Sequence, residues 1–526
     1  MDTPSPPPTI VGPNWSSRIV AIGLILVFAA VGFGLPVELP IQAASWMTFV
    51  ALVITPGYLL GDIVAWRLDL DLLERLALAM PLGIFVMALP GMVTMLGHLT
   101  IQDLMTAWTL TVGCLAMAWI VFRLLPREST TRSHSPPWRW DEIAMLLLLV
   151  AAFVYMFPTL SLYKMDGDAY AVATFTADAL TGRPLNATEP ILSTGRSLGS
   201  IRMGLNQFLP IFHLWSYLSQ VDHIELTGTA SRSMLALWAI LASYTLGKAA
   251  GGGRPFGSAE GQPRGGRRIG LLTASIQTLV FLAAPFFRSD HVGIFFFERI
   301  NADKFTVTVT MLPVVLALAI RYVRTGRRDV WIAAALCGFA VSSIHALIAA
   351  MLALALGAFG GLHLLLHLRR RDAWVRAVGL TVLTAIVMIL PLVQLVEARR
   401  GEALAPTYPS SFEGWPIEER LAPVLPLRLM PTLDVYGPLP DMAHLDAGQA
   451  NTPTNPFLLW RFALNMRRQR IIVFDLEHYI SDPTLILEPP YLLALLLLPV
   501  LLWRLRSHLG AQFALSTSLA VLFVLF

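Results

Sequence analysis

The sequence predicts an all-α, polytopic membrane protein with about 13 transmembrane helices, and three observations lead to this fold class. Hydrophobic residues make up 56% of the 526-residue chain and charged residues only 14%, whereas soluble domains carry about 25% charged residues. Mean hydropathy is +0.64. Apolar runs of about 18 residues or more recur along the whole chain, and each is long enough to cross a bilayer as a helix.

Thirteen apolar segments form the predicted set of spans. They are 18–35, 46–65, 74–97, 104–125, 141–163, 227–249, 269–287, 305–323, 330–347, 349–368, 374–397, 488–504 and 509–526.

The loop charges predict the orientation of these spans. Short loops rich in Arg or Lys face the cytoplasm, and with a cytoplasmic N-terminus all five basic loops fall on that side. These loops are 123–139, 248–268, 321–328, 369–376 and 504–506. The net charge of +4 is therefore interpreted as loop asymmetry, and no nucleic-acid partner is expected.

The opposite face receives the long loops 164–226 and 398–487 and the shorter loop 288–304. Within the first of them, residues 200–220 are apolar enough to be a further span. Polar residues interrupt this stretch, and Leu205, Phe208, Phe212 and Trp215 fall on one helical stripe. We therefore predict an amphipathic helix lying on the outer surface.

Composition shifts divide the chain into predicted parts. A Pro-rich tail (1–17) precedes an accessory bundle of four spans (18–126), and a polar linker (127–140) leads to the main transmembrane core (141–400). A large outer loop (401–487) and two C-terminal spans (488–526) follow. Because the last span runs to Phe526, we expect a shortened chain.

Charged side chains collect at the predicted outer interface. Span five is followed by Lys164, Asp166 and Asp168, with Arg202 further along the same loop. The segment FFFERINADKF adds Glu298, Arg299, Asp303 and Lys304. Arginine and lysine at headgroup depth can hold a phosphate, and a nearby carboxylate can accept the proton of an attacking hydroxyl.

This arrangement resembles the GT-C superfamily of multi-span glycosyltransferases, which use polyprenyl-phosphate sugars and include the protein mannosyltransferases and the aminoarabinose transferase of lipid A. The stretch MDGDAYAVATFTADALTGRPL is similar to the first outer loop of that family, which carries an acidic residue near the membrane. The resemblance covers about residues 141–400. It implies that Asp166 or Asp168 is the catalytic acid and that Arg299 and Lys304 face the donor phosphate. The four preceding spans depart from the family pattern, and the chain shows no sizeable soluble C-terminal domain.

Simpler interpretations stay open for each of these residues. Asp168 can cap a helix that begins at Ala169, and the Asp-Gly-Asp pattern is also compatible with a divalent metal ion held by Asp166 and Asp168. The cluster from Glu298 to Lys304 can serve structural pairing. His345 is either a polar turn residue or part of the cavity lining, together with Glu298 and Asp303.

The preferred hypothesis is an inverting glycosyltransferase in the plasma membrane with its active site on the outer face. Its partners would be a lipid-linked sugar donor, membrane lipids, and a glycan, lipid or protein acceptor. A flippase or transporter of lipid-linked envelope intermediates is the first alternative. It is disfavoured because the spans contain His345 and few other ionisable residues away from their ends. A non-catalytic membrane scaffold is the second alternative.

Overall fold

The computed structural model describes residues 15–68, 70–125, 138–160, 167–187, 204–251, 265–282, 299–404 and 508–516. Within these residues helices are the only regular secondary structure, and there is no strand. One compact unit comprises Met1–Arg400 and Leu505–Thr517. A second unit comprises Gly401–Arg504 and Ser518–Phe526, of which only residues 401–404 are described.

The described helices are labelled α1 to α13 in chain order. They are α1 (Trp15–Gly32), α2 (Ile41–Val64), α3 (Leu72–Leu96), α4 (Ile101–Leu124), α5 (Trp140–Leu160), α6 (Gly167–Leu180), α7 (Phe208–Ser219), α8 (His223–Gly251), α9 (Gly265–Leu282), α10 (Asp303–Thr325), α11 (Arg328–Ser342), α12 (Ala346–Leu366) and α13 (Arg371–Leu404). Helices α2, α8 and α10 each contain one π-helical turn, at Val50–Ile54, Leu226–Ala230 and Val307–Met311.

Eight of these helices are long and apolar enough to cross a membrane, namely α2, α3, α4, α5, α8, α10, α12 and α13. The multi-pass helical class is therefore confirmed. The segments predicted at 18–35, 269–287 and 330–347 form helices outside this set of eight. The predicted span 330–347 is too long at its C-terminal end, because α11 ends at Ser342 and a turn follows. The segment 488–504 and most of 509–526 lie outside the described residues, so the count of 13 stays a prediction.

Two helix starts have a local cause that the sequence carries. Asp71 accepts a hydrogen bond from the Glu74 backbone N–H, and the Glu74 side chain accepts one from the Asp71 N–H. Thr100 and Asp103 form the same reciprocal pair at the start of α4. Each pair satisfies backbone donors that the first turn of a helix leaves unbonded.

The helix connections gather at two ends of the bundle. At one end, which we call the basic end, Lys248 of α8 binds Asp71 and Glu74 at the start of α3. Arg321 of α10 binds the same Glu74, and Arg376 of α13 donates to the Val323 carbonyl. Arg123 of α4 binds Asp62 of α2. The helix ends that flank four of the five predicted basic loops therefore lie together, as expected. The fifth loop, 504–506, lies outside the described residues.

Polar backbone contacts join the connections at the opposite end. Leu185 N–H donates to the Leu99 carbonyl at 2.7 Å, which ties the segment after α6 to the α3–α4 turn. Gln207 N–H donates to the Ser343 carbonyl at 2.8 Å, next to the α11–α12 turn. The described part of loop 164–226 therefore lies at the same end of the bundle as the α3–α4 and α11–α12 turns. Which membrane face this end occupies stays a prediction.

The prediction of a surface helix at 200–220 is wrong. Helix α7 lies inside the bundle, in contact with α1, α2, α3, α4 and α6. Its predicted apolar stripe is buried, but so are residues on its other faces, including Leu209, His213 and Ser216. With twelve residues it is about 18 Å long, too short to span a hydrocarbon core of about 30 Å. The apolar stripe marked a helix but could not show that other helices also cover its remaining faces.

Helices α2 and α3 pack at backbone contact through two glycines. A Cβ atom at Gly57 would overlap the Ala79 carbonyl, and one at Gly83 would overlap the Val53 carbonyl. Small residues at membrane helix interfaces permit such close approach and the dispersion contacts that follow from it. Helix α3 also contacts α8 and α11. The predicted accessory bundle thus shares a core with the helices after residue 140, and the boundary between the two stays a prediction.

Candidate functional site

Helix α6 follows the predicted acid pair and begins at Gly167. Asp168 lies in the first turn of this helix. It is therefore not the N-cap residue that the structural alternative required. An acid in a first turn is favoured by the helix dipole, so this position is compatible with a structural role as well as a chemical one. The side chain of Asp168, and all of Lys164, Asp166, Arg202 and Glu298, lie outside the described residues.

A buried hydrogen bond fixes α6 against α7. His213 Nδ1 lies 3.1 Å from Thr176 Oγ1, and the Thr176 hydroxyl donates to the Val172 carbonyl at 2.8 Å. Because that hydroxyl has a single proton, His213 must donate from Nδ1. Complete burial lowers the pKa of His213 from 6.5 to about 3, so the imidazole is neutral at physiological pH.

Residues just before α7 connect this region to α10. Asn206 Nδ2 donates to Asp303 Oδ2 at 3.0 Å, and Asn206 Oδ1 accepts from the Phe208 N–H at 3.0 Å. The second carboxylate oxygen of Asp303 accepts from the Lys304 N–H at 2.6 Å. Asp303 therefore has the structural pairing role that was left open, and it orders the backbone that carries Lys304.

The segment 299–306 is held by its own bonds and by α8. Ala302 N–H donates to the Arg299 carbonyl at 2.8 Å, and the Asn301 amide donates to the Thr227 carbonyl. Asn301 is completely buried. Arg299 and Lys304 therefore lie on an ordered turn that leads into α10, and neither belongs to a flexible loop.

Helix α6 and the segment 299–306 converge on the same part of α8. Helix α6 contacts the π-helical turn at Leu226–Ala230, and Asn301 binds the Thr227 carbonyl within that turn. The expectation was that the acid pair and the Arg299–Lys304 pair share one pocket. Helix α6 and the segment 299–306 thus both contact this turn, whereas contact of Asp168 with Arg299 or Lys304 stays a prediction.

His345 occupies the α11–α12 turn, as predicted. It is the N-cap residue of α12 with φ −143° and ψ 115°, and its carbonyl accepts from the Ala349 N–H at 3.0 Å. This backbone role supports the turn interpretation. A role in lining a cavity stays a prediction.

The sequence analysis did not identify Arg232 as a buried arginine within a span. Arg232 of α8 has no exposed surface, and it lies just after the π-helical turn, flanked by Ser231 and Ser233. The expectation that His345 is nearly the only ionisable residue within the spans is therefore wrong. Ionisable side chains in membrane helices are costly and are commonly functional. The burial of Arg232 therefore weakens the argument against a transporter that was based on the scarcity of such residues. Its two serine neighbours were a sequence signal for a polar, protein-facing position.

The sequence analysis also did not identify a buried charge cluster at the basic end. Glu74 is 1% exposed and binds both Lys248 and Arg321. Burial alone would raise the pKa of Asp71, but the Lys248 ammonium and the Tyr244 hydroxyl outweigh burial and hold that pKa below its ordinary value.

A second set of charges surrounds Asp62 at the same end. Asp62 binds Arg75 at 3.3 Å, Arg123, and the Trp119 indole N–H at 2.8 Å. The small cavity beside it, lined by Tyr58, Gly61, Asp62, Leu70, Arg75 and Leu78, has a volume of about 10 Å³. That is room for about one water molecule, so this cluster is a structural joint and not a substrate site.

No group of three or more His, Cys, Asp or Glu side chains converges within the described part of the chain. A metal site at Asp166 and Asp168 falls outside that part and stays a prediction.

Comparison with known proteins gave no match: no family model, no curated protein and no solved structure is similar to this chain.

Proposed function

We propose that this chain is an integral membrane glycosyltransferase of GT-C type, which moves a sugar from a polyprenyl-phosphate donor to an acceptor hydroxyl with inversion. In this proposal the chain has about 13 spans in a plasma membrane. The N-terminus and the basic end face the cytoplasm, and the active site lies at the opposite end. The first four spans form an accessory bundle on a GT-C-like core.

The observation that carries the proposal is the meeting of two distant segments at the end opposite the basic end. Asn206, before α7, bonds to Asp303, 97 residues away in the chain. Helix α6 and Asn301 both contact the π-helical turn of α8. A transferase for a lipid-linked donor needs a carboxylate and cations on separate segments held at one membrane interface, and this arrangement would supply them.

The chemistry assigned to these residues is a direct displacement. The acceptor oxygen forms a bond to the anomeric carbon while the bond from that carbon to the phosphate oxygen breaks, and the polyprenyl phosphate leaves with the electron pair. Asp166 or Asp168 accepts the hydroxyl proton. Arg299 and Lys304, with Lys164 and Arg202, would stabilise the charge on the leaving phosphate. The Asp303 carboxylate would act only by ordering the backbone of Lys304.

The test is sugar transfer by the purified full-length chain in proteoliposomes. A panel of labelled polyprenyl-phosphate sugars is supplied, and two products are measured together: labelled acceptor and free polyprenyl phosphate. The proposal expects both to accumulate in equal amounts with at least one donor. If none of the donors is consumed in the presence of lipid, glycan and peptide acceptors, the proposal fails.

Arg232 favours a second candidate, a flippase for lipid-linked envelope intermediates. A buried cation within a span can attract the phosphate of a lipid headgroup crossing the bilayer. In the same proteoliposomes, a flippase would expose fluorescent polyprenyl-phosphate lipid to an external quencher without breaking its sugar–phosphate bond. An Arg232→Gln variant would slow this exposure. Transfer without translocation excludes the flippase.

A further inference from the structure

Two arginine-rich turns at the basic end lie side by side. Arg376 at the start of α13 donates from Nη1 to the Val323 carbonyl at the end of α10, at 2.7 Å. Trp331 of α11 donates from its indole to the Gly379 carbonyl at 2.8 Å. These bonds join the α10–α11 turn to the α12–α13 turn, which are separated by about 40 residues of sequence.

The close approach depends on glycine at position 379. A Cβ atom there would overlap the Tyr322 hydroxyl, so a larger residue would push α13 away from α10. The two turns consequently form one continuous surface, which we call the arginine patch and define by Arg327, Arg328, Arg369, Arg370, Arg371 and Arg376.

The positive charge of this patch is only partly balanced. Arg327 makes a two-pronged pair with Asp329 at 2.5 and 3.0 Å. Arg328, Arg369 and Arg371 are exposed, and each is without an ion-pair partner among the residues that the structure describes.

Four other basic residues at this end are matched by buried carboxylates. Lys248 and Arg321 bind Glu74, and Arg75 and Arg123 bind Asp62. Basic loops help to set orientation during membrane insertion, but that role alone does not explain why three exposed arginines are grouped at one pair of turns. The open charge suits an anion from outside the chain.

The surroundings of the patch place it at the boundary of the lipid. Trp374 is 49% exposed and donates its indole N–H to the Leu368 carbonyl at 3.0 Å, a position typical of interfacial aromatic residues. Next to it, Leu365, Val375 and Val378 are exposed by 67%, 60% and 58%. These apolar side chains offer a track for acyl tails directly beside the arginines.

We propose that the arginine patch is a binding site for an anionic phospholipid, with the phosphodiester headgroup on Arg328, Arg369 and Arg371 and the acyl chains along the exposed face of α13. Guanidinium groups bind phosphate oxygens through paired, charge-assisted hydrogen bonds. Clusters of arginine next to a span attract anionic lipid headgroups. This site is independent of the proposed transferase activity.

The experiment counts lipids bound to the purified full-length chain by native mass spectrometry, with phosphatidylglycerol and phosphatidylcholine supplied separately. Wild-type chain should retain phosphatidylglycerol preferentially. The combined variant Arg328→Gln, Arg369→Gln, Arg371→Gln should weaken that binding by about tenfold or more, because each arginine at the surface contributes to the attraction.

The matched control removes three exposed arginines from the same end but outside the patch, as Arg67→Gln, Arg139→Gln, Arg268→Gln. It should retain the preference, and both variants should unfold at the wild-type temperature in detergent. Three results would overturn the proposal: equal binding of the two lipids to wild type, equal weakening in both variants, or displacement of the lipid by inorganic phosphate at a matching concentration.

Discussion

The side-chain amide of Asn206 donates to the carboxylate of Asp303 at 3.0 Å, and this contact joins the start of α7 to the start of α10. Asp303 in turn accepts from the backbone of Lys304. One hydrogen bond thus connects the loop that follows the predicted acid pair with a predicted phosphate-binding residue. The arrangement of the candidate site therefore depends in part on the hydrogen bond between Asn206 and Asp303.

Removing this amide should weaken the fold locally and slow any transfer reaction. Asn206→Ala takes a donor from a part-buried carboxylate, which costs about 1–3 kcal/mol. Its coupling to Asp303→Ala, which removes the accepting oxygens, should be about 0.5 kcal/mol or more in a double-mutant cycle. Denaturant unfolding in detergent measures both quantities. Strict additivity of the two substitutions would show that the contact does not contribute.

The buried Glu74 should be far more sensitive to substitution than an exposed acid at the same end. Glu74→Gln leaves the largely buried Arg321 without its carboxylate partner, while Lys248 keeps only Asp71, at a cost of about 3–5 kcal/mol. The control is Asp141→Asn, because Asp141 pairs with Arg139, whose side chain is 67% exposed. Such exposed pairs contribute about 0–1 kcal/mol. Equal losses in the free energy of unfolding would contradict the assignment of Glu74 as a joint between α3, α8 and α10.

Glycine at the α2–α3 interface should not tolerate a methyl group. Gly57→Ala forces a carbon into the Ala79 carbonyl, so α2 and α3 must separate, and overpacking of this kind costs about 1–3 kcal/mol or more. Gly113→Ala on α4 points into open space and should leave the melting temperature unchanged or slightly raised. A Gly57→Ala protein as stable as wild type would show that the two helices are less closely packed than described.

Acidification should destabilise the chain through His213 at a higher pH than through Asp71. The unfolded chain binds a proton at His213 below about pH 6.5, whereas the folded chain does so only near pH 3, where the pKa of His213 is about 3. Stability therefore falls as pH decreases from 6.5 toward 3, by up to about 1.4 kcal/mol per pH unit. The lowered pKa of Asp71 acts in a lower window, because its contribution is lost only below the ordinary value of 3.8.

This pH dependence can be measured as the free energy of unfolding at pH 6.5, 5.5 and 4.5. His213→Leu places an apolar side chain in the buried position and removes the titration, so its slope across that range should be smaller than that of wild type. Identical slopes would mean that His213 is not buried in the neutral form.

The sequence predicted what hydrophobic length and loop charge determine. Eight long apolar helices and the clustering of basic helix ends follow from these two properties. The burial of α7 could not be predicted, since periodicity reports one apolar face and says nothing of neighbours packed on the others. The 200–220 stretch was nevertheless correctly recognised as a helix too interrupted to span.

The local positions of residues in the candidate site could be predicted from the sequence, but the contacts between distant segments could not. The position of Asp303 and Lys304 at a helix start, and of His345 at a turn, could be read from local sequence. The pairing of Asn206 with Asp303, and the burial of Arg232, depend on helices that are distant in the chain. The burial of Asp71 and Glu74 was missed for the same reason, because their partners, Lys248 and Arg321, lie more than 170 residues away in the chain.

The transferase account is tested most directly by sugar transfer from a labelled polyprenyl-phosphate donor in proteoliposomes, measured for Asp166→Asn, Asp168→Asn and the control Asp178→Asn. Asp178 lies on the same helix as Asp168 but pairs with Arg183 at the protein surface. The account predicts that at least one of the first two variants loses about 100-fold or more of its turnover, while Asp178→Asn keeps wild-type activity. Full turnover in both Asp166→Asn and Asp168→Asn would contradict it.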